Sequence, residues 1–285
     1  MVDSSPRSLV HDVAAVARER QISIASAGLA YHAFNTLVLL GILALVAVTL
    51  VDSLEPLVAA LETAIGLEGI VTGGGLEGVV GTGVDRTRAA VLAVSILLWS
   101  AVRLFQAVNS AFTDVYGSRK DQSYVNTAVT VTLVTAFNVV LVTATVAVGV
   151  GLVSVVGISL SLFGGGFRAT TVGAVALVGL LMAVFFPMYY LFPEPDVSVG
   201  EIVPGTAFAA LTWAVLAGGF RLYVTTAESV ALFGIAGAVL LILTWVYLGG
   251  FCLLLGAVLN AVLAGRVDPE DGWVPRRGGR SDEPT

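Results

Sequence analysis

Polar side chains with the potential for chemistry form a stripe along one apolar stretch of the chain. Its members recur every three or four residues and would share one face of a helix: Ser95, Trp99, Arg103, Gln106, Ser110 and Thr113, with Asn109 at the edge. Arg103 would lie near mid-depth in a membrane, about ten residues from one end of the stretch at ~1.5 Å per residue. No Asp or Glu lies in the interior of any apolar stretch. Without a fixed carboxylate partner, the charge of the guanidinium could be met by backbone carbonyls, by water or by an anionic ligand such as a lipid phosphate.

Three other apolar stretches carry polar groups that could line a cavity with Arg103. They are Gly28, Tyr31, His32 and Asn35 in the first, Tyr124, Thr127, Asn138 and Thr145 in the third, and Trp245, Gly249, Cys252, Gly256 and Asn260 in the last. Because polar groups are costly in lipid, they should face each other or a wet cavity. We therefore expect Arg103 to face the interior of a helix bundle, within reach of Asn35, Asn138 or Asn260.

The candidate cavity or ligand-binding residues are Tyr31, His32, Asn35, Arg103, Gln106, Asn109, Asn138 and Asn260. The alternative is that these groups only form hydrogen bonds between helices and allow close glycine packing, with no ligand at all. The sequence leaves both interpretations open.

A catalytic, metal or cofactor site is not apparent in the sequence. His11 and His32 are the only histidines and Cys252 is the only cysteine, whereas a catalytic zinc needs three protein ligands in one place. The glycine pattern at 73–78 lacks the strand and helix that a dinucleotide site requires. We therefore predict no enzyme activity, no metal and no cofactor.

The composition is that of a membrane protein. Hydrophobic residues make up 57% of the chain and charged residues 12%, and the mean hydropathy is +0.94. A soluble domain carries about 25% charged residues. Membrane lipids are therefore the expected partners. The net charge of −6 and the lack of basic clusters exclude nucleic acid as a partner, because phosphate contacts need Lys and Arg. The oligomeric state cannot be read from the sequence.

The apolar runs predict an all-α bundle of six membrane-spanning helices, since about 20 apolar residues cross the hydrocarbon. The predicted membrane domain covers 26–264, with spans near 26–50, 89–112, 127–156, 170–192, 202–224 and 233–264. Residues 1–25 precede it, and Leu9, Val13 and Val16 predict a short amphipathic helix there. This helix could lie on the membrane surface or pack as an ordinary solvated helix. The Gly-, Pro- and charge-rich residues 265–285 predict a disordered tail.

The basic residues predict the orientation. Nine of them fall on the side of the two termini and four on the other: Arg7, Arg18, Arg20, Arg119, Lys120, Arg266, Arg276, Arg277 and Arg280, against Arg86, Arg88, Arg168 and Arg221. Basic loops are retained in the cytoplasm. We therefore expect a multi-pass plasma-membrane protein with both termini cytoplasmic.

The stretch 189–208, "YYLFPEPDVSVGEIVPGTAF", separates the fourth and fifth spans. Pro193, Pro195 and Pro204 are expected to break helices, and Glu194, Asp196 and Glu201 to need water. The stretch therefore predicts a turn between spans, with solvated rather than catalytic acids.

Together with "LFGIAGAVLLILTWVYLGGFCLLLGAVLNA", "AGLAYHAF" and "AVNSAFTDVYGSRK", this stretch resembles the YihY/BrkB-like family of integral membrane proteins. The matching residues are Tyr190, Pro193, Gly205, Trp213, Tyr223, Gly234, Trp245, Tyr247 and Gly256, with Asn109 and Asn260. Two departures are His32, where a second tyrosine is common, and the lack of a proline near Val38. The resemblance implies six spans, and its members are often labelled ribonuclease BN.

Three functions follow as hypotheses. The first is that the protein binds or transports an anionic, lipid-like molecule through a cytoplasm-facing polar cavity that contains Arg103. The second is a non-transporting membrane scaffold or accessory subunit. The third, a membrane-bound ribonuclease, comes from the family label alone, because clustered acid–base or metal-binding residues are not apparent.

Overall fold

The computed structural model of the protein describes residues 6–50, 84–117, 125, 128–138, 140–141, 167–193, 197–226 and 229–267. Within these ranges the secondary structure is helical: α1 (Pro6–Glu19), α2 (Ile22–Leu50), α3 (Val84–Tyr116), α4 (Ala128–Asn138), α5 (Phe167–Leu191), α6 (Val199–Thr226) and α7 (Ser229–Leu263). This confirms the predicted all-α membrane bundle with an N-terminal amphipathic helix.

Five helices contain windows long and apolar enough to cross a membrane: 22–39 in α2, 94–116 in α3, 173–191 in α5, 199–220 in α6 and 239–263 in α7. Helix α4 is apolar but shorter, and most of the expected third span, 127–156, lies outside the described residues. The sixth span therefore stays a prediction. Residues 51–83 and nearly all of the predicted disordered tail also lie outside the described residues.

Helix α1 packs on the bundle with its apolar face. Val16 is fully buried in the core, and the helix contacts α7, while Arg18 and Glu19 are exposed. The structure thus shows α1 packed on the bundle, and its position on a membrane surface stays a prediction. Helix α2 begins at Ile22 instead of the predicted 26, because a tight turn at Gln21 (φ 49°) separates it from α1.

Among the described residues, burial is concentrated at the end of the bundle that carries α1, which we call the N-terminal end. Phe112 of α3 meets Tyr189 and Phe192 edge-to-face, with ring centroids 5.0 and 5.9 Å apart, and all three side chains are fully buried. Arg20 donates a 3.2 Å hydrogen bond to the Asp114 carbonyl in the last turn of α3. A cation there is favourable, because the carbonyl end of a helix is negative.

Helices α6 and α7 approach each other most closely at two glycines. A Cβ built on Gly205 would lie 2.6 Å from Asn260 Cγ, and one built on Gly256 would lie 2.6 Å from the Gly205 oxygen. Real Cβ atoms do not come this near to other heavy atoms, so the contact requires glycine on both helices. Small residues allow this kind of approach between membrane helices.

Pro204 lies inside α6 and does not end a helix, so this part of the turn prediction is wrong. Proline removes a backbone donor and weakens the helix around it. Next to this proline, the Asn260 side chain bonds to the backbone of α6: its Oδ1 accepts from Gly205 N–H at 2.6 Å, and its Nδ2 donates to the Ile202 carbonyl at 3.0 Å. One amide of α7 thus bonds to the backbone of α6 on both sides of the proline.

Two further side chains bond to the backbone of α7. The Trp213 indole N–H donates to the Gly249 carbonyl at 2.8 Å, and the Tyr189 hydroxyl donates to the Leu253 carbonyl at 2.5 Å. Together with Asn260 they connect α5, α6 and α7 over about three turns of α7. These bonds satisfy polar groups that neither lipid nor the apolar core could satisfy.

We predict opposite effects for two alanine substitutions in α6. Gly205→Ala should destabilise the protein by about 3 kcal/mol, because the new methyl group would overlap α7. Gly218→Ala should be neutral or stabilising by up to about 1 kcal/mol, because nothing lies within 4 Å of its Cβ position and alanine favours helix. Melting temperatures of the two purified variants in detergent test this, and equal values would contradict the close approach.

Candidate functional site

The side chain of Arg103 lies on the exposed face of α3 and not on the face that packs against the other described helices. The prediction that it faces the bundle interior is therefore wrong. Its side chain is exposed, and its guanidinium carbon lies 4.9 Å from the centre of the Trp99 ring, which is itself 64% exposed. Ser95 and Gln106 are exposed on the same face. The predicted helical stripe is exposed only from Ser95 to Gln106, because Asn109 and Thr113 are buried.

Packing of α3 through another face explains this orientation. Near the N-terminal end, α3 buries Val108, Phe112 and Val115. Further along the helix, the hydroxyls of Ser100 and Thr36 hydrogen-bond at 2.9 Å and join α3 to α2. The face of α3 with Val108, Phe112 and Ser100 provides close apolar packing and a hydroxyl pair. It therefore packs against the bundle, and the face with Arg103 is left exposed.

Arg103 is the one basic residue within the five apolar windows. It lies about 14 Å from Val94 and about 20 Å from Tyr116, at 1.5 Å per residue. Among the residues that the structure describes, the ion pairs do not include Arg103. One side of the guanidinium covers the Trp99 ring, a favourable cation–π contact, and this leaves the N–H groups at its edge for another partner.

The predicted partners do not gather around Arg103. Asn260 is buried between α6 and α7. Asn138 is buried, and its Nδ2 donates to the Val134 carbonyl of its own helix at 3.0 Å. Asn35 and His32 are half-buried on α2, and no described hydrogen bond joins either to Arg103. A polar cavity that unites these side chains is not present among the described residues.

Asn109 belongs to the packed N-terminal end. It is buried, and its carbonyl, with that of Ser110, accepts from the Thr113 hydroxyl at 3.1 and 2.8 Å. Tyr116 lies one turn further on, close enough to Asn260, Glu201 and Arg266 for electrostatic interaction. These groups stabilise the junction of α3, α6 and α7.

Glu201 forms an ion pair that the sequence did not reveal. Arg266 Nη2 and Nε donate to its Oε2 at 2.7 and 3.1 Å. Ser198 precedes α6, and Glu201 bonds back to it, as in the capping box Ser-x-x-Glu. Glu201 therefore links the start of α6 to the end of α7. The capping pattern was visible in the sequence, but the partner 65 residues away was not.

The family-pattern residues divide into buried and exposed sets. Gly205, Trp213 and Gly256 make the helix contacts described above, and Pro193 is buried in the α5–α6 connection. Trp245 packs on Trp213, with ring centroids 5.5 Å apart. The exposed members are Tyr190 and Tyr223; Tyr247 is half-buried, and Gly234 lies in α7. The tyrosine that is buried and donates a hydrogen bond to α7 is Tyr189. The family pattern had identified its neighbour, Tyr190.

A groove of about 300 Å³ lies between α2 and α7. Its lining consists of Ala27, Ala30, Tyr31, Leu243, Thr244 and Tyr247. Tyr31 and Thr244 are exposed at its edge, and Tyr31 meets His32 edge-to-face at 5.5 Å. Of the cavity residues predicted from the sequence, Tyr31 is the one that lines this groove.

Comparison with known proteins gives consistent relatives. YfkH of Bacillus subtilis (strain 168), named as a ribonuclease-like protein, is 27% identical over 174 residues, which cover 58% of this chain and 62% of that protein. The UPF0761 membrane protein PSHAa0171 of Pseudoalteromonas translucida (strain TAC 125) is 32% identical over 87 residues, 30% of this chain and 29% of that protein. The matches thus span less than two thirds of either relative. No solved structure matches significantly.

The family model described as virulence factor BrkB matches residues 13–278, which include every described helix except the start of α1. The apolar helices agree with the membrane-protein name of the second relative. The YihY/BrkB resemblance is therefore confirmed, and the chain belongs to the virulence factor BrkB family of multi-pass membrane proteins.

Proposed function

We propose that this protein binds or transports an anionic, lipid-like molecule, and that it does so at the membrane-facing side of α3. The observation that carries the proposal is Arg103, an exposed arginine within an apolar window that has no ion pair with a described residue. The site differs from the predicted interior cavity, but the recognising group is the same.

The energetics favour an anion at this position. A lone arginine at the centre of a membrane helix costs about 2.5–3.5 kcal/mol on insertion scales. A phosphate or carboxylate that accepts from the guanidinium edge offsets this cost, because charge-assisted bonds are the strong ones and the planar fork matches such anions. Trp99 holds the opposite side of the guanidinium at 4.9 Å, which orients the edge toward a ligand in the bilayer.

A non-transporting scaffold is the second candidate. It is supported by the bonds of Asn260, Trp213 and Tyr189, which all serve contacts between helices. In that case Arg103 would contribute no ligand affinity. Substitution of Arg103 therefore distinguishes the two functions.

We expect Arg103→Ala to weaken binding of anionic lipid about tenfold, which equals ~1.4 kcal/mol. Arg103→Lys should recover part of the loss, because an ammonium group lacks the planar fork. Binding of phosphatidylglycerol and of phosphatidylcholine to purified protein is measured by native mass spectrometry. Arg88→Ala is the control, because Arg88 is an exposed arginine of the same helix outside its apolar window.

Equal retention of phosphatidylglycerol by the wild type, Arg103→Ala and Arg88→Ala would overturn the proposal and favour the scaffold. If Arg103→Ala lost affinity for phosphatidylglycerol and phosphatidylcholine equally, this would also contradict the proposal. Loss of a positive charge should weaken binding of the anionic lipid more than that of the zwitterionic lipid.

We further propose that the protein is not a ribonuclease, despite the name of its Bacillus relative. In the described ranges, His, Cys, Asp and Glu form no group of three that could hold a metal. Purified protein incubated with structured and unstructured RNA, with Mg²⁺, Mn²⁺ or a chelator, should cleave none of it. Turnover that a single substitution in this chain abolishes would show that the proposal is wrong.

We also propose a plasma-membrane location with both termini in the cytoplasm, on the basis of the nine-to-four distribution of Lys and Arg. Single cysteines at 3 and 275, in a Cys252→Ser background, should react with a membrane-impermeant maleimide only after the cells are opened. Labelling of either position in intact cells would reverse the topology.

A further inference from the structure

Two hydrogen bonds fix how α2 and α3 lie against each other. At the N-terminal end, just before α2 begins, the Arg20 guanidinium donates to the Asp114 carbonyl at 3.2 Å. Further along, the hydroxyls of Thr36 and Ser100 bond at 2.9 Å. Between these two bonds the residue number rises along α2 while it falls by a similar amount along α3. The two helices are therefore antiparallel, and the bonds give their register.

This register brings two polar residues of α2 to the level of Arg103. Arg103 follows Ser100 by three residues, and His32 precedes Thr36 by four; both steps lead toward the N-terminal end. At ~1.5 Å per residue, the backbones of Arg103 and His32 are level to within about 2 Å, and those of Arg103 and Asn35 to within about 3 Å. All three residues belong to the apolar windows of α2 and α3.

The same three side chains share one face of the helix pair. Successive residues turn by about 100° around a helix. Because α2 and α3 are antiparallel, the step from Thr36 back to His32 and the step from Ser100 on to Arg103 turn away from the contact toward the same side. Asn35 points further toward that side. The burial agrees, since Arg103 is exposed and the other two are half-buried. We call His32, Asn35 and Arg103 the α2–α3 seam.

The α2–α3 seam offers donors from both helices to one ligand. The axes of packed helices lie about 8–10 Å apart, so a ligand that covers the seam is within reach of both. Tyr31 packs edge-to-face on the His32 ring at 5.5 Å, and Trp99 packs on the guanidinium at 4.9 Å. Both contacts hold seam side chains in place from outside the seam, and no described hydrogen bond crosses it.

The charge of the α2–α3 seam selects among anions. Within the described apolar windows, Arg103 is the one Arg or Lys. An amide and an imidazole N–H add donors without adding a fixed charge. One cation balances one negative charge, and a second negative charge without a partner would be costly in an apolar environment. A phosphodiester carries one charge, whereas a phosphomonoester carries about −1.5 to −2 at pH 7.

We propose that the Arg103 site extends across the α2–α3 seam and takes a phosphodiester lipid of net charge −1. Arg103 meets the charge, and the Asn35 amide and the His32 ring donate to the remaining phosphate oxygens. This inference rests on the proposed function and adds to it the class of lipid and two residues of α2. The seam faces outward, so the lipid reaches it from the bilayer and not through an interior cavity.

The choice of lipid is tested by native mass spectrometry of the purified full chain at neutral pH. Phosphatidylglycerol competes there with phosphatidic acid, a phosphomonoester, and with oleate, a monoanion that has only two acceptor oxygens. The wild type should retain phosphatidylglycerol about tenfold more than either competitor, a difference of ~1.4 kcal/mol. If phosphatidic acid or oleate binds as tightly as phosphatidylglycerol, the assignment of a phosphodiester is wrong.

Two substitutions test the residues of α2. Asn35→Leu and His32→Phe each remove a donor and keep a side chain of similar size, so each should lower phosphatidylglycerol affinity about fivefold, since bonds to charged groups exceed those between neutral groups. The matched control is Thr244→Val, which should bind like the wild type. Thr244 is an exposed residue of α7 at about the depth of Asn35, because Gly250 of α7 contacts Leu29 of α2.

The outcomes separate this inference from the proposed function. If Arg103→Ala loses phosphatidylglycerol while folded Asn35→Leu or His32→Phe keeps wild-type affinity, the extension onto α2 is wrong and the anion site at Arg103 stands. An equal fall in Thr244→Val would also overturn the extension. If Arg103→Ala has no effect, both fail. Size-exclusion chromatography shows which variants are folded, and His32→Phe provides the test if Asn35→Leu is not.

Discussion

The contact of α6 with α7 at Gly205 and Gly256 is the constraint on which the described bundle depends. It brings Asn260 close enough to bond to the backbone of α6 on both sides of Pro204. In a membrane these backbone groups have no water to bond to, and each unsatisfied group would cost several kcal/mol. The amide therefore joins α7 to the backbone of α6 at the point where the two helices approach most closely.

The other helices are positioned by this pair. Tyr189 ties α5 to the Leu253 carbonyl, α2 contacts α7 near Gly250, and α1 contacts α7 and buries Val16 in the core. Burial is consequently concentrated at the N-terminal end. Among the described residues, the exposed surfaces include Arg103 on α3 and the groove between α2 and α7. Polar groups thus divide into a buried set that holds the helices and an exposed set that can meet ligands.

The sequence predicted the helices and the family well, because long apolar runs and glycine patterns are local features. It also predicted the helical stripe of Arg103, but not the direction in which the stripe points. In a membrane both the surroundings and the interior are apolar, so helical periodicity identifies a face without saying whether it is buried. Asn260 with Gly205 and Glu201 with Arg266 are pairs 55 and 65 residues apart, and a single sequence does not contain such long-range partners.

The central claim is that Arg103 meets its anion from the bilayer while Asn260 only holds helices. The most direct measurement is an experimental structure of the protein in a nanodisc that contains phosphatidylglycerol. The account predicts phosphate-sized density at the guanidinium edge of Arg103, next to Trp99, and an Asn260 amide still bonded to Gly205 and Ile202. Arg103 enclosed by protein and bonded to this chain or to a second copy, with no lipid density beside it, would contradict the account.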